Sequence, residues 1–180
     1  MLLRKINAGL SLITTILLVD HAMFLSIWML ARCSFEVSNE EMPYVLAGLA
    51  AIHALLSIIL AIRGHKGAKK EKVKSYPKMN IPTMVQRITG ILMILMLGLH
   101  IAGAKNHYKP KMLHAVFHPV FFAVALSHAA VSVSKAMITL GIGNAKVVKS
   151  VNVVMRTLCV VTFVACVIGF YLCLFLGVKR

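Results

Sequence analysis

Residues 90–128 have the sequence GILMILMLGLHIAGAKNHYKPKMLHAVFHPVFFAVALSH, and this stretch decides the fold. It contains two apolar runs separated by a short polar segment, which predicts two helices of membrane-crossing length. His100 closes the first run, and His128 lies inside the second. A histidine within a helix that crosses the hydrocarbon layer is energetically costly and by default marks a functional site.

The composition of the whole chain is typical of a membrane protein. Of its 180 residues, 59% are hydrophobic and 14% are charged, which is too apolar for a soluble domain of this size. We predict an all-α integral membrane protein, one domain over residues 1–180, with five transmembrane helices in a helical bundle. The predicted spans are 6–31, 43–63, 81–104, 113–140 and 147–177.

The net charge of +15 does not indicate nucleic-acid binding, because the basic residues lie in connecting segments rather than on a soluble face. Most of the 20 lysines and arginines fall on the side of the N-terminus, which predicts a cytoplasmic N-terminus by the positive-inside rule. The lysine-rich segment 64–80 is the one long connection. We expect it to be a solvated loop, with anionic membrane lipid or a soluble partner as its contact.

Three further features concern single helices and turns. Cysteines recur every seven residues in the last helix, at Cys159, Cys166 and Cys173, and are predicted to be small packing residues in a helix seam. Residues 141–144 are predicted to form the turn before that helix. Asp20 is the one carboxylate within a span; it indicates either a proton pathway or an orienting partner for a neighbouring group.

The histidines form the pattern that requires an explanation, because each of the first four predicted helices carries at least one. At about 1.5 Å of rise per residue, His53 and His128 lie about 15 and 18 Å from the inner surface. His21 and His100 lie about 23 and 28 Å from it. Two layers of paired imidazoles are what two haems with two histidine ligands each require, because neutral imidazole is a strong iron ligand.

Several alternatives remain open at this point. Each histidine alone could be a core residue that forms a hydrogen bond to a neighbouring helix. His118 competes with His100 for the outer layer, and it and His114 are otherwise expected at the outer membrane interface. A haem-free, proton-coupled transporter that uses Asp20 and the histidines is a further alternative, although the sequence shows neither an internal repeat nor a pair of broken helices.

The arrangement resembles the two-haem cytochrome b membrane anchor of succinate:quinone oxidoreductases, the succinate dehydrogenases and fumarate reductases. The resemblance covers nearly the whole chain. Its most specific part is the sequence QRITG at residues 86–90, similar to the (H/Q)-R-x-(S/T)-G opening of a haem-bearing helix, which leads here to His100. The second part is His128 followed by Lys135 and Gly141.

The resemblance implies an inner haem b held by His53 and His128 and an outer haem b held by His21 and His100, the pairing that the depths also give. It implies flavoprotein and iron–sulfur subunits on the cytoplasmic face of a bacterial or archaeal inner membrane. The chain would be a quinone-reactive electron-transfer subunit that leaves succinate and fumarate chemistry to its partners. A haem b anchor of a hydrogenase or formate dehydrogenase is the alternative within the same chemistry.

Further site residues follow from the resemblance alone. Arg87 would contact a haem propionate or quinone, although a basic side chain there would also reach the interface from a helix end. Thr83, four residues earlier, would help to bind quinone at the inner face. Glu40 and Glu41 would serve the oxidation of menaquinol or another quinol near the outer haem. The proton-carrying glutamate of some members is replaced by Leu126, so that pathway is not expected.

Overall fold

The computed structural model describes residues 2–31, 41–70, 81–105 and 111–175, and these ranges are helical apart from one turn. Each helix contains a segment that is long and apolar enough to cross a bilayer. The predicted all-α architecture with five membrane-crossing helices is confirmed, and by these helices the chain is a multi-pass membrane protein. They are α1 (Leu2–Ala31), α2 (Glu41–Lys70), α3 (Ile81–Lys105), α4 (Lys111–Leu140) and α5 (Ala145–Phe175).

Helix α2 is longer than its predicted span, which ended at residue 63. It continues to Lys70, so the prediction of a loop beginning at residue 64 is wrong for residues 64–70. Alanine and lysine favour helix, and positive charges near a helix C-terminus complement the helix dipole. Hydropathy marks where the apolar span ends, but the helix itself extends further. Residues 71–80 lie outside the described ranges.

The tightly packed part of the bundle is formed by α1, α4 and α5, which all pack on one another. In contrast, no residue in the membrane-crossing segments of α2 and α3 is fully buried. Helix α2 packs mainly on α1 and helix α3 on α4, while α2 and α3 make few contacts with each other. Over the described residues, α1 does not pack on α3, nor α2 on α4. The core cluster comprises Val19, Leu126, Ala129 and Cys159.

Small side chains allow α1 and α5 to approach closely. Ser26 Oγ lies 2.9 Å from Cys166 Sγ, and a Cβ atom at Gly169 would come within 2.9 Å of Met29 Cβ. Close approach through small residues is a common way for membrane helices to gain van der Waals contact. The prediction that the cysteines are packing residues is confirmed for Cys159 and Cys166, which are buried; the side chain of Cys173 is not described.

The predicted turn at residues 141–144 is also confirmed. Gly141 adopts a φ of 75°, a left-handed conformation that glycine tolerates at a helix C-terminus. The Ile142 amide donates a hydrogen bond of 2.9 Å to the carbonyl of Met137. Asn144 Oδ1 accepts a bond of 3.0 Å from the Val147 amide, which caps the start of α5.

Pro119 lies inside α4 and lacks the amide hydrogen that would normally bond to the carbonyl four residues earlier. That carbonyl belongs to Ala115, and the Tyr171 hydroxyl on α5 donates a hydrogen bond of 3.1 Å to it. A side chain of a neighbouring helix thereby satisfies the main-chain group that the proline releases, as is usual within a bilayer. This bond also joins α4 to α5 on the side of the bundle opposite their turn.

We expect Gly169→Ala to destabilise the protein by about 1–3 kcal/mol, because the added methyl group overpacks the α1–α5 contact. Gly98→Ala is the matched control, since a Cβ at Gly98 meets nothing within 4 Å. Reversible unfolding in mixed micelles measures both variants. Equal stability of the two variants would contradict the close α1–α5 contact.

Candidate functional site

The four histidines predicted as iron ligands lie on α1 to α4, one on each helix. All four are partly buried. Each predicted pair joins two helices that do not pack directly, α2 with α4 and α1 with α3. A haem held between two imidazoles keeps its helices further apart than the roughly 8–10 Å of direct helix packing, so this helix arrangement suits both pairs. The four histidines are His21 on α1, His53 on α2, His100 on α3 and His128 on α4.

The ring of His128 rests on α3 at Thr89 and Gly90. Its Nδ1 atom lies 3.1 Å from Thr89 Oγ1, and a Cβ atom at Gly90 would come within 3.1 Å of its Cε1 atom. The Thr89 hydroxyl donates a hydrogen bond of 2.7 Å to the carbonyl of Val85. Because a hydroxyl has one hydrogen, this pair fits the tautomer in which His128 Nδ1–H donates to Thr89 and Nε2 carries the lone pair. The ring also interacts with the main chain of Gln86.

His53 has a buried nitrogen, Nδ1, that forms no hydrogen bond with any described residue. The ring also interacts with the main chain of Asn7 on α1. One turn further along α2, Ser57 Oγ accepts a hydrogen bond of 3.2 Å from the Asn7 side chain, which joins α2 to α1. His53 lies within electrostatic range of His128, so the structure brings the predicted inner pair into one region.

His100 and His118 meet where α3 packs on α4. Their ring centroids are 5.4 Å apart at an angle of 67°, and His100 stacks on Phe121 at 5.0 Å. His118 is 5% exposed and stacks on Phe170 of α5 at 5.0 Å. Rings in edge contact leave no space for a porphyrin between them, so His100 and His118 do not face each other across a haem. His118 stays the alternative to His100 as the outer ligand.

His21 lies on α1, fourteen residues after Asn7. This spacing places the two residues within about 40° of each other around the helix, and Asn7 contacts Ser57 of α2. The exposed carboxylate of Asp20 is adjacent and interacts electrostatically with His21. The spacing thus relates His21 to the face of α1 that contacts α2 near the N-terminus.

A row of three side-chain hydrogen bonds joins α3 to α4, and we call it the polar ladder. Its bonds link Thr89 to His128 at 3.1 Å, Gln86 to Ser132 at 3.3 Å, and Lys135 to Thr83 at 2.8 Å. The sequence interpretation missed it, although polar residues recur every three positions on α3 and every three to four on α4, the spacing of one helix face. The ladder explains two positions of the QRITG motif without any cofactor.

The remaining predicted site residues lie at the two ends of the bundle. Arg87 is exposed, while Thr83 is partly buried and accepts the Lys135 bond. Glu41 is the first residue of α2 at the opposite end, and its side chain is not described. Glu40 lies outside the described residues. The structure therefore places Thr83 and Arg87 together on α3, and the predicted roles of the two glutamates stay predictions.

Comparison with known protein families, with characterised proteins and with solved structures finds no match to this chain. The resemblance to succinate:quinone oxidoreductase anchors therefore stays a prediction from residues 86–90, the histidines and the helix order.

The Gln86–Ser132 bond of the polar ladder can be measured by a double-mutant cycle with Gln86→Leu and Ser132→Ala. We expect a coupling free energy of about 0.6 kcal/mol, typical of hydrogen bonds between membrane helices. Gln86→Leu combined with Thr139→Ala is the control, because the Thr139 hydroxyl is exposed and bonds within its own helix. A coupling no larger than in the control would remove this bond from the account of α3–α4 packing.

Proposed function

We propose that this chain is a di-haem cytochrome b, the membrane anchor of a succinate dehydrogenase or fumarate reductase in a bacterial or archaeal cytoplasmic membrane. The observation that carries the proposal is the placement of His53 and His128. They are partly buried imidazoles on helices that do not pack directly, and they lie within electrostatic range of each other.

The hydrogen bonding of the His128 and His53 imidazoles supports the first haem site. His128 donates its Nδ1–H to Thr89 and keeps the lone pair on Nε2, which is how metal-binding histidines are usually oriented. His53 differs, because its buried Nδ1 atom has no hydrogen-bond partner among the described residues; a group bound at Nδ1 itself would relieve the cost of burying this atom. Haem b, when bound, accepts and releases single electrons, and its potential depends on these ligands and their hydrogen bonds.

The second haem is proposed between His21 and His100. His21 is partly buried on α1, and over the described residues α1 and α3 do not pack on each other. Phe121 and His118 hold the ring of His100 from two sides, which restricts its orientation before any ligand binds. A ring fixed in this way loses less conformational entropy on ligation.

The proposed electron path runs between membrane quinone, the two haems and an iron–sulfur subunit docked with a flavoprotein subunit on the cytoplasmic face. With a cytoplasmic N-terminus, the His53–His128 layer is the one nearer these partners. Menaquinone or another quinone is the proposed exchangeable substrate. Thr83, Arg87, Glu40 and Glu41 are the residues that the resemblance assigns to it, with a haem propionate as the other assignment of Arg87.

The decisive experiment is a pyridine haemochrome assay on the purified, folded protein expressed with sufficient haem. We expect two b haems per chain, and one haem fewer in each of the four single alanine variants of the predicted ligands. His107→Ala, in the short polar segment that the sequence predicts between the third and fourth helices, is the control and should keep both haems. Colourless protein would contradict the proposal and favour the transporter. Two haems with hydrogenase or formate dehydrogenase subunits copurifying would assign the anchor to a different complex. The four single alanine variants of the predicted ligands are His21→Ala, His53→Ala, His100→Ala and His128→Ala.

Thr89→Val should weaken retention of the inner haem by about tenfold or more. Removing the hydrogen-bond partner of a metal-binding histidine typically lowers metal affinity by this amount. The substitution should also raise the midpoint potential of the inner haem, since His128 becomes a weaker electron donor without an acceptor for its Nδ1–H. Redox titration measures the potential. Thr89→Ser is the control and keeps the hydroxyl. An unchanged potential in the valine variant would contradict the inferred orientation of His128.

A further inference from the structure

Lys135 places an ammonium group within the membrane-crossing part of α4. Its Nζ atom donates a hydrogen bond of 2.8 Å to Thr83 Oγ1 on α3. An ammonium group has three hydrogens, so two remain beyond this bond. Asp20 is the one acid whose side chain is described; it follows Val19, which packs with Leu126 and Ala129, six to nine residues before Lys135 and thus about 9–14 Å from it along α4. No described carboxylate therefore neutralises Lys135.

A second positive charge lies beside the first. Arg87 follows Thr83 by four residues, which places both side chains on one face of α3. The charges of Arg87 and Lys135 are close enough to repel each other. Helix α3 begins at Ile81, so the positive end of its dipole adds to the same region. A bound anion would relieve the repulsion and accept the unused hydrogen-bond donors.

The cluster lies near one end of the membrane-crossing segments of α3 and α4. Thr83 lies about 3 Å from the start of α3, and Lys135 about 8 Å from the end of α4. Further along α3, Ile91 and Leu95 follow Arg87 at intervals of four residues and are 64% and 61% exposed. An exposed apolar stripe that leads from a basic group towards the bilayer centre suits an acyl chain.

We propose that Thr83, Arg87 and Lys135 bind the phosphate of an anionic phospholipid, with an acyl chain along Ile91 and Leu95. A quinone is neutral and leaves the repulsion between the two cations uncompensated. A haem propionate would approach from between the helices, whereas the Arg87 side chain is exposed. The proposal requires no haem, so its failure and that of the proposed function are separate results.

Native mass spectrometry of the full-length protein in detergent tests the proposal, with phosphatidylglycerol and phosphatidylcholine as the probes. We expect phosphatidylglycerol to bind at least about tenfold more tightly, because basic sites at this depth select anionic lipid. The double variant Arg87→Gln with Lys135→Gln should weaken that binding by about tenfold or more. Lys149→Gln with Arg156→Gln is the matched control, since it removes the same charge from exposed positions of α5.

Diffuse charge attraction, a haem propionate and quinone each predict a different outcome of the lipid-binding measurement. Equal weakening in the two double variants would show diffuse attraction and overturn the proposal, as would equal affinity for both lipids. Phosphatidylglycerol binding that appears only after haem extraction would assign the cluster to a propionate, and displacement by equimolar quinone would assign it to quinone. If the double variant does not fold, Arg87→Gln alone carries the test, with at least about threefold weaker binding expected.

Discussion

Polar side chains within a bilayer need partners in the protein, because the hydrocarbon layer offers no water to them. In this chain that constraint acts most strongly between α3 and α4. The polar ladder satisfies Gln86, Ser132 and His128 across the helix interface, and it sets the rotation of α3 against α4. Because the rotation is fixed, His128 keeps one ring orientation and one nitrogen available to a ligand. The orientation of the proposed iron ligand thus depends on a contact between helices.

The bundle is packed unevenly, and the unevenness follows from residue size. Small residues such as Ser26, Cys166 and Gly169 bring α1 and α5 together, and the core continues into α4. Helices α2 and α3 have large aliphatic side chains that remain exposed or partly exposed. Helices α1, α4 and α5 therefore form the closely packed part of the molecule, whereas the membrane-crossing segments of α2 and α3 contain no fully buried residue. The four histidines predicted as iron ligands occur both on the closely packed helices and on α2 and α3.

The sequence predicts the helices well, because a run of about 20 apolar residues has few alternatives to a membrane-crossing helix. It also places the packing cysteines and the turn at residues 141–144 correctly. Its limits appear where the rotation of one helix about another decides the result. The sequence motif includes Thr89 without assigning it a role, and the sequence alone does not show the Lys135–Thr83 bond; the quinone role of Thr83 stays a prediction. Depth along a helix can be counted from residue numbers, but the direction of a side chain depends on which neighbour packs beside it.

The packing of α1 has a consequence for how the protein is made. Its main partners, α4 and α5, follow α2 and α3 along the chain, so the core around Val19 and Cys159 can form only after α5 has been synthesised. Until then α1 has α2 as its partner, joined through Asn7 and Ser57. The tight turn at Gly141 delivers α4 and α5 as a hairpin into a membrane that already holds the first three helices. Insertion of those three helices therefore precedes the closing of the bundle around α1.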